Sequence, residues 1–287
     1  MPRDIAEKTA NPSTHMVILG SGFAAIEVLK KLQKEFDTNN SVEITLVSRD
    51  NFILFTPMLP EVASGMIETR NIVTPVRSFC KKAKFYQAKV KSIDLNTKKL
   101  TLTHAIGRQS QPDGWRERVL KYDYLVIALG SENNFFKMSD VQRYSFTMKS
   151  IDDAIILRNH IIDVLEQASL EEDNIELRKS LLTFVVAGGG FNGVETVGAI
   201  NHFTRESIKD YYKNIDITEV RVILIDTNEK LLAEVDEELG EFALEKLKCP
   251  VTGATANSVK LYNGTIIPCY TLIWSAGVTP DKLIAEL

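Results

Sequence analysis

The stretch that decides the fold is VVAGGGFNGVET, residues 185–196. An apolar run ends in three glycines, and the residues that follow have helical spacing. A strand, a glycine turn and a helix in this order form the motif with which many proteins hold a dinucleotide pyrophosphate. A second stretch, VILGSGFAAIEV at residues 17–28, has the same order of features. The sequence therefore predicts two dinucleotide-binding units in one chain.

The spacing of the small residues supports this interpretation. In G-x-G-x-x-G/A the first glycine permits a tight turn and the second lets the backbone approach the pyrophosphate. The third small residue lets helix and strand pack closely. A glycine turn of purely structural origin is the alternative, and the strand before and helix after each motif disfavour it. The residues that fit are Gly188, Gly190 and Gly193 in one stretch and Gly20, Gly22 and Ala25 in the other.

In the unit that contains residues 185–196, the residue at the end of the second strand indicates which dinucleotide is bound. In such units an acid at this place binds the ribose hydroxyls. Asp226, in VILIDT, is that acid, and it favours NADH over NADPH because a carboxylate repels a 2′-phosphate. A solvated turn aspartate is the alternative. In the first unit Ser48 takes this place, followed by Arg49 and Asp50, and a hydroxyl binds ribose more weakly than a carboxylate does.

Hydrophobic periodicity predicts the elements around both motifs. The fold class is α/β, with two Rossmann-like dinucleotide-binding units and an additional β-meander; the family resemblance described below implies the FAD/NAD(P)-binding flavoprotein fold. Predicted strands are His15–Gly20, Val42–Val47, Lys84–Ile93, 98–106, 117–131, Leu181–Ala187, Val220–Ile225 and Thr265–Trp274. Predicted helices are Phe23–Phe36, Ile151–Gln167, Gly193–Tyr212 and Glu234–Lys248, with a charged connector at 169–180 and an exposed turn at 107–115.

These elements predict the division of the chain. We expect a flexible leader at 1–14, the first part of one dinucleotide-binding domain at 15–150 and a second dinucleotide-binding domain at 151–275. Residues 276–287 are expected to begin the return to the first domain. The family resemblance described below implies that the first domain binds FAD and the second binds NADH.

Composition excludes several classes of function. The chain has 287 residues, a formal net charge of −4 and no long basic run, so nucleic acid is not an expected partner. The polar first residues predict a cytoplasmic protein without a signal peptide. No apolar run approaches the roughly 20 residues that span a bilayer. Cys80, Cys249 and Cys269 form no CxxC pair, so we expect no disulfide framework, metal site or dithiol redox centre.

Longer motifs identify a family. The chain resembles the two-dinucleotide-binding flavoproteins, specifically the type II NADH dehydrogenases, which are single-subunit NADH:quinone oxidoreductases. The resemblance covers nearly the whole chain from His15 onward, in order and approximate spacing. Its motifs are NFILFTPMLPEVASG (51–65), IVTPVR (72–77), YDYLVIALGSENNFF (122–136), DDAIILRNHI (152–161), GGGFNGVETVGAI (188–200) and TLIWSAGVTP (271–280).

The resemblance implies a respiratory flavoprotein that passes a hydride from NADH to FAD and electrons on to a membrane quinone. It also implies peripheral contact with the cytoplasmic face of a membrane and leaves a homodimer open. The cofactor-binding residues expected in the first part of the chain are Gly20, Gly22, Phe23, Ala25, Ser48, Arg49, Pro57, Leu59, Val90, Ala128, Leu129 and Gly130. Those expected for NADH are Gly188, Gly190, Phe191, Asn192, Gly193, Asp226, Ala276 and Gly277.

Glu195 is the expected catalytic residue. It lies in the first turn of the second helix, where the family has a glutamate facing flavin and nicotinamide. A carboxylate there can orient the nicotinamide or relay protons toward quinone. The alternative is an acid that only complements the helix dipole.

Two departures from the family pattern accompany these matches. The helix predicted at Glu234–Lys248 leaves no room for the strand that the family places before VTGA, and Pro250 cannot donate to a sheet ladder. We therefore expect a deletion of about one strand. The chain also ends at Leu287, before the family's Gly-Asp flavin motif, quinone-contacting segment and membrane-docking helices. The expectation is a C-terminally truncated member of the family.

Two other functions remain open. A truncated nucleotide-binding remnant would hold NADH, or nothing, without electron transfer. A sulfide:quinone oxidoreductase shares the fold and uses paired cysteines beside the flavin, but the three cysteines do not match those places, and thiolate chemistry needs the thiols at the site.

Overall fold

The structure is a computed structural model that describes residues 14–105, 114–227 and 246–287. The chain divides into two compact units. The first runs to Leu54, includes Val73–Ser131 and ends with Pro280–Leu287; the second comprises Phe55–Ile72 and Glu132–Thr279. This division differs from the predicted boundaries, because 55–72 and 132–150 group with the second unit.

The first unit is built on a parallel sheet in the order β5-β2-β1-β9. Its strands are rich in apolar residues because both faces are covered. In β1, Val17 and Leu19 face a core shared with an antiparallel meander, whereas Ile18 faces the helix α1. The bounds are Thr14–Leu19 (β1), Phe23–Glu35 (α1), Val42–Ser48 (β2), Lys84–Gln87 (β5) and Tyr124–Ile127 (β9).

Antiparallel strands complete this unit. The meander β6-β7-β8 confirms the predicted additional β-meander, and Leu100 and Leu102 alternate inward from its central strand, as one buried face requires. The strand predicted at Lys84–Ile93 is two strands, one in each sheet, separated at Ala88. The bounds are Phe52–Leu54 (β3), Val73–Pro75 (β4), Lys89–Asp94 (β6), Lys99–Ala105 (β7) and Trp115–Lys121 (β8); a short helix occupies Lys282–Ala285.

The second unit repeats this plan. Its parallel sheet has the order β13-β12-β11-β17, and an antiparallel meander, β14-β15-β16, shares a core with one face of it. A further pair of short strands, β10 and β18, forms a two-stranded sheet. The bounds are Ser131–Asn133 (β10), Thr183–Ala187 (β11), Arg221–Asp226 (β12), Lys246–Lys248 (β13), Val251–Thr255 (β14), Ser258–Leu261 (β15), Ile266–Pro268 (β16), Thr271–Trp274 (β17) and Val278–Pro280 (β18).

Local sequence explains where its helices begin. The longest two are α4, which starts after a capping box between Ser150 and Asp153, and α6, which starts after Gly190. In the capping box each residue's side chain accepts a hydrogen bond from the other's backbone N–H, at 3.0–3.1 Å. The short helix α2 packs against both α4 and α6. The bounds are Leu59–Ala63 (α2), Ser139–Tyr144 (α3), Ile151–Leu170 (α4), Ile175–Leu181 (α5) and Phe191–Tyr211 (α6).

The structure corrects further predictions. The strand predicted at 117–131 is two strands, β8 in the meander and β9 in the parallel sheet. The connector at 169–180 contains the end of α4 and most of α5, which Arg178 fixes through two hydrogen bonds to the Glu219 carboxylate at 2.7 and 2.8 Å. The strand predicted at Thr265–Trp274 is two strands, one in the meander and one in the parallel sheet. The last three residues of the predicted helix Glu234–Lys248 are strand β13, which pairs in parallel with Leu224–Asp226.

The prediction that no strand precedes VTGA is therefore wrong, because β13 occupies that place. The earlier part of the predicted helix, at 234–245, lies outside the described residues, as do residues 1–13 of the leader predicted at 1–14 and most of the predicted turn at 107–115. Thr14, the last residue of the predicted leader, already begins β1. Within the described residues no helix is both long and apolar enough to cross a membrane. The predicted fold class, two Rossmann-like units with an additional meander, is confirmed.

Candidate nucleotide-binding sites

The first glycine turn lies between β1 and α1. Gly20 has a φ of +107°, in the region that favours glycine. A Cβ there would lie 2.1 Å from the carbonyl oxygen of Ala128, so strand β9 leaves no room for a side chain. Gly22 is the N-cap of α1, and a Cβ on it would meet no described atom within 4 Å. The turn is thus closed toward the sheet and open where a phosphate would approach the helix N-terminus.

Ser48 lies beside this turn at the end of β2. Its hydroxyl donates to Ser21 Oγ at 2.8 Å and accepts from the Asp50 backbone N–H at 3.3 Å. Arg49 forms an ion pair with Asp50 at 3.2 Å, and both side chains are exposed. Ser48 therefore stands where a Rossmann unit usually has a carboxylate, and its hydroxyl is bonded to that of Ser21 in the glycine turn.

The other predicted residues of this group have different surroundings. Phe23 is exposed and Ala25 is fully buried against the sheet. Val90 is 6% exposed and packs in the core with Leu19 and Val47, so its side chain is not available to a ligand. Ala128, Leu129 and Gly130 directly follow β9. Pro57 and Leu59 belong to the second compact unit, where Leu59 is fully buried.

The second glycine turn has nearly the same backbone. Gly188 has a φ of +112°, and a Cβ on it would lie 2.5 Å from the backbone of Ser275. Gly190 is the N-cap of α6 and is open, like Gly22. A Cβ on Gly193 would lie only 1.8 Å from the carbonyl oxygen of Gly188. Helix α6 therefore approaches its turn more closely than a methyl group would allow.

A cavity of about 580 Å³ opens at this turn. Three groups of residues line it: the end of β11 with its glycines, the end of β12, and the end of β17. These groups are Ala187–Gly190, Ile225–Thr227 and Trp274–Ala276, and the remaining lining residues are Phe136, Met138, Pro250 and Val251. The carboxyl ends of parallel strands are where open α/β sheets bind ligands, and this volume lies in the range of small-molecule sites.

Asp226 is placed where the sequence predicts it. It ends β12, lines the cavity, and accepts a short hydrogen bond from the backbone N–H of Gly189. The carboxylate is thereby held against the glycine turn. Predicted residue Asn192 donates to Ser275 Oγ at 2.9 Å, which ties the start of α6 to the end of β17.

Glu195 is exposed and lies just beyond the first turn of α6, not in it as the sequence predicts, because the helix begins at Phe191. Its pKa is raised, mainly because partial burial disfavours the charged carboxylate and further because the carboxylate of Glu61, on α2, repels it. Glu61 Oε2 is buried and has no hydrogen-bond partner among the described residues. The second unit thus places two acids near each other, and helix packing between α2 and α6 accounts for their proximity.

Sequence reasoning missed several residues of these sites. Ser21, Ser275 and Glu61 carry interactions that depend on contacts between distant segments, so no local pattern indicates them. Phe136 has a φ of +48° and Lys137 a φ of +65°, which is uncommon for residues other than glycine. Trp274 and Phe136, both in the cavity wall, lie inside quoted motifs, and their spacing alone gave no reason to select them.

The fold and the two turns define the class of protein. Two Rossmann-like units, each with a strand, a glycine turn and a helix N-terminus, are the architecture of proteins that bind two dinucleotides. The model of the pyridine nucleotide-disulphide oxidoreductase family matches residues 14–287. The chain belongs to this family.

Individual relatives narrow the comparison. The chain is 33% identical over 295 residues to the external alternative NAD(P)H-ubiquinone oxidoreductase B2, mitochondrial, of Arabidopsis thaliana, covering 97% of this chain and 49% of the relative. It is 33% identical over 299 residues to the type II NADH:quinone oxidoreductase Ndh of Mycobacterium tuberculosis, covering 98% and 61%. These names confirm the resemblance read from the motifs. The chain spans about half the length of the curated relatives it matches.

A solved structure has the same fold. The structure of NDH2 from Plasmodium falciparum in complex with NADH superposes with a TM-score of 0.82, at 24% identity, over 96% of this chain and 57% of that chain.

Proposed function

We propose that the chain is the dinucleotide-binding part of a flavin-dependent NADH:quinone oxidoreductase. The observation that carries this proposal is the presence of two glycine turns with matching backbones but different strand ends, Ser48 in one unit and Asp226 in the other. Two sites that differ at the ribose position suit two different dinucleotides. The names of the relatives support NADH as the donor and a quinone as the acceptor.

We assign NADH to the second unit. Gly188 and Gly190 let the pyrophosphate approach the N-terminus of α6, whose first-turn N–H groups and dipole favour negative charge. Asp226 accepts hydrogen bonds from the adenosine ribose hydroxyls and repels a 2′-phosphate. The Asn192–Ser275 hydrogen bond ties α6 to the end of β17 on the far side of the turn, where Ala276 lines the cavity.

We assign FAD to the first unit. The open N-cap at Gly22 and the closed turn at Gly20 suit a pyrophosphate, and the Ser21–Ser48 hydroxyl pair suits a ribose. Arg49, which directly follows Ser48 and pairs with Asp50, adds charged groups beside the proposed ribose position. When bound, flavin supplies a two-electron acceptor for the hydride of NADH and a donor to the quinone.

Glu195 is the proposed catalytic acid. A raised pKa lets this carboxyl group hold a proton at a higher pH than an ordinary glutamate, as a group that exchanges protons during quinone reduction requires. Association with a quinone-containing membrane, a cytoplasmic location and a homodimer belong to the same proposal.

The two other functions make different demands on the chain. A sulfide:quinone oxidoreductase needs reactive thiolates, but Cys269 is 3% exposed and burial raises its pKa to about 12. A nucleotide-binding remnant would bind NADH without passing electrons.

The test is an anaerobic visible spectrum. The purified chain is incubated with FAD, freed of excess flavin, mixed with NADH and then with a soluble quinone. Retained flavin that bleaches with NADH and recovers its colour with quinone is the expected result. A chain that retains no flavin would favour the remnant, as would flavin that stays coloured after NADH is added. Bleaching by sulfide would favour the sulfide enzyme.

A further inference from the structure

Phe136 has an unusual position in the wall of the cavity at the second glycine turn. Its ring is 56% exposed although it lies in a unit with a well-packed core, and it lines the cavity together with Trp274 and Ala276. Exposed aromatic rings in a concave site are suited to stacking with a flat ligand.

The backbone holds this ring in place at an energetic cost. Phe136 and Lys137 both have left-handed φ angles, +48° and +65°. Residues with a Cβ rarely adopt such angles, and they do so where the surrounding structure imposes them. Two such residues in succession beside a cavity indicate that the surrounding structure fixes the position of the Phe136 ring.

Asn134 imposes that position through three hydrogen bonds. Its side-chain oxygen accepts from the Phe136 backbone N–H at 2.9 Å, and its backbone oxygen accepts from Trp274 Nε1 at 2.8 Å. Its own N–H donates to the Gly277 oxygen at 3.0 Å. The Phe136 ring also meets Trp274 edge-on, with centroids 6.4 Å apart.

Gly277 completes the support. It has a φ of +143°, and a Cβ on it would lie 3.2 Å from the tip of the Phe136 ring. The absence of a side chain at 277 therefore lets the ring lie against the segment that follows β17.

The side of the sheet identifies the half of the dinucleotide that meets this ring. Asp226 ends β12, on one side of the glycine turn, and the turn itself follows the central strand β11. Trp274 ends β17 and Ala276 follows it, on the other side. In a Rossmann unit the acid binds the adenosine ribose and the second nucleotide lies across the turn. The ring at Phe136 is on that second side.

We infer that Phe136 is a binding residue for the nicotinamide half of the dinucleotide, with its ring packed against the nicotinamide nucleotide and held there by Asn134. This inference rests on the proposed NADH site. Phe136, an aromatic residue outside the glycine motif, then makes the site bind a complete dinucleotide more tightly than its adenosine half alone.

The test compares binding of NADH and of ADP-ribose, which lacks nicotinamide, to the full chain by titration calorimetry. We expect Phe136→Leu to raise the Kd for NADH by about three- to ten-fold, the range that a lost aromatic contact gives. The Kd for ADP-ribose stays within about two-fold. Phe136→Tyr retains wild-type affinity, and Asn134→Ala reproduces the selective loss.

Tyr262→Ala is the matched control, because Tyr262 is an exposed aromatic residue of the same unit outside the cavity wall. It should change neither Kd. Equal weakening of both ligands by Phe136→Leu, or no change in NADH affinity, overturns the inference while leaving the NADH site intact. A wild-type chain that binds neither ligand overturns the proposed function, and the inference with it.

Discussion

The two glycine turns share a backbone but differ in the side chains around it. Gly20 and Gly188 have φ angles within 5° of each other, +107° and +112°, and Gly22 and Gly190 cap their helices in the same extended conformation. The differences lie at the third small residue, Ala25 or Gly193, and at the strand end. We infer that phosphate binding depends on the shared backbone and that the choice of dinucleotide depends on the residues beside it.

The third small residue should give the largest effect. We expect Gly193→Ala to lower the free energy of unfolding by about 3 kcal/mol or more, because the new Cβ would overlap the Gly188 carbonyl oxygen, a backbone atom. Ala25→Gly in the first unit should cost less, about 2 kcal/mol, because it loses helix propensity and a fully buried methyl group. Urea unfolding of both variants measures the change in the free energy of unfolding. Equal losses would contradict the conclusion that α6 approaches its glycine turn more closely than α1 does.

The strand ends should separate the two ligands. Asp226→Ala removes charge-assisted hydrogen bonds to ribose, so we expect the Kd for NADH to rise by about ten-fold or more and the preference over NADPH to relax. Ser48→Ala should weaken FAD binding by about five-fold, the effect of a neutral hydrogen bond, and leave NADH binding unchanged. Titration of each variant with FAD, NADH and NADPH measures these Kd values. Continued rejection of NADPH by Asp226→Ala would assign the preference to another residue.

Ser275 offers a smaller test, because Ala128 has the equivalent place in the first unit. Each lies against the first glycine of its turn, but only Ser275 holds an asparagine of the helix, Asn192. We expect Ser275→Ala to lower the free energy of unfolding by about 1 kcal/mol. Thermal unfolding measures this, and a neutral result would mean that the hydrogen bond does not fix α6.

The smallest effect concerns the equivalent acids of the two helices. Glu27 of α1 pairs with Lys31 at 3.8 Å, whereas Glu195 of α6 is repelled by Glu61. Because folding raises the pKa of Glu195, the stability linked to this group is present at low pH and is lost as the pH rises through the raised pKa.

Glu61→Gln should lower the pKa of Glu195 and reduce that loss. Urea unfolding across the pH range measures this loss of stability. Glu27→Gln is the matched control and should leave the pH dependence linked to Glu195 unchanged. A pH dependence unaltered by Glu61→Gln would show that burial alone sets the pKa of Glu195.

Much of the site could be predicted from the sequence because its signals are local. The turns at Gly20 and Gly188, and Asp226 at the end of β12, follow from spacing within a single strand–turn–helix segment. Strand β13 was assigned to a helix, since three residues carry little periodicity and their pairing with β12 decides their conformation. Helix α5 was missed for a similar reason, because seven residues in a charged segment show no apolar stripe.

The side chains that support the turns were harder to predict. Ser275 meets Asn192 and Glu61 approaches Glu195 only after distant segments come together. The left-handed backbone at Phe136 and Lys137 has no sequence signal, since neither residue type favours it. Local patterns located the turns, and tertiary packing determined what lies beside them.

The most direct measurement is the number of nucleotides bound per chain. The chain is dialysed against FAD and NADH together, anaerobically, and the bound amounts of flavin and nicotinamide nucleotide are determined. The account predicts one of each per chain, with Asp226→Ala losing the nicotinamide nucleotide and retaining flavin. One nucleotide per chain in total, with FAD and NADH displacing each other, would contradict the claim that two similar turns bind two different dinucleotides.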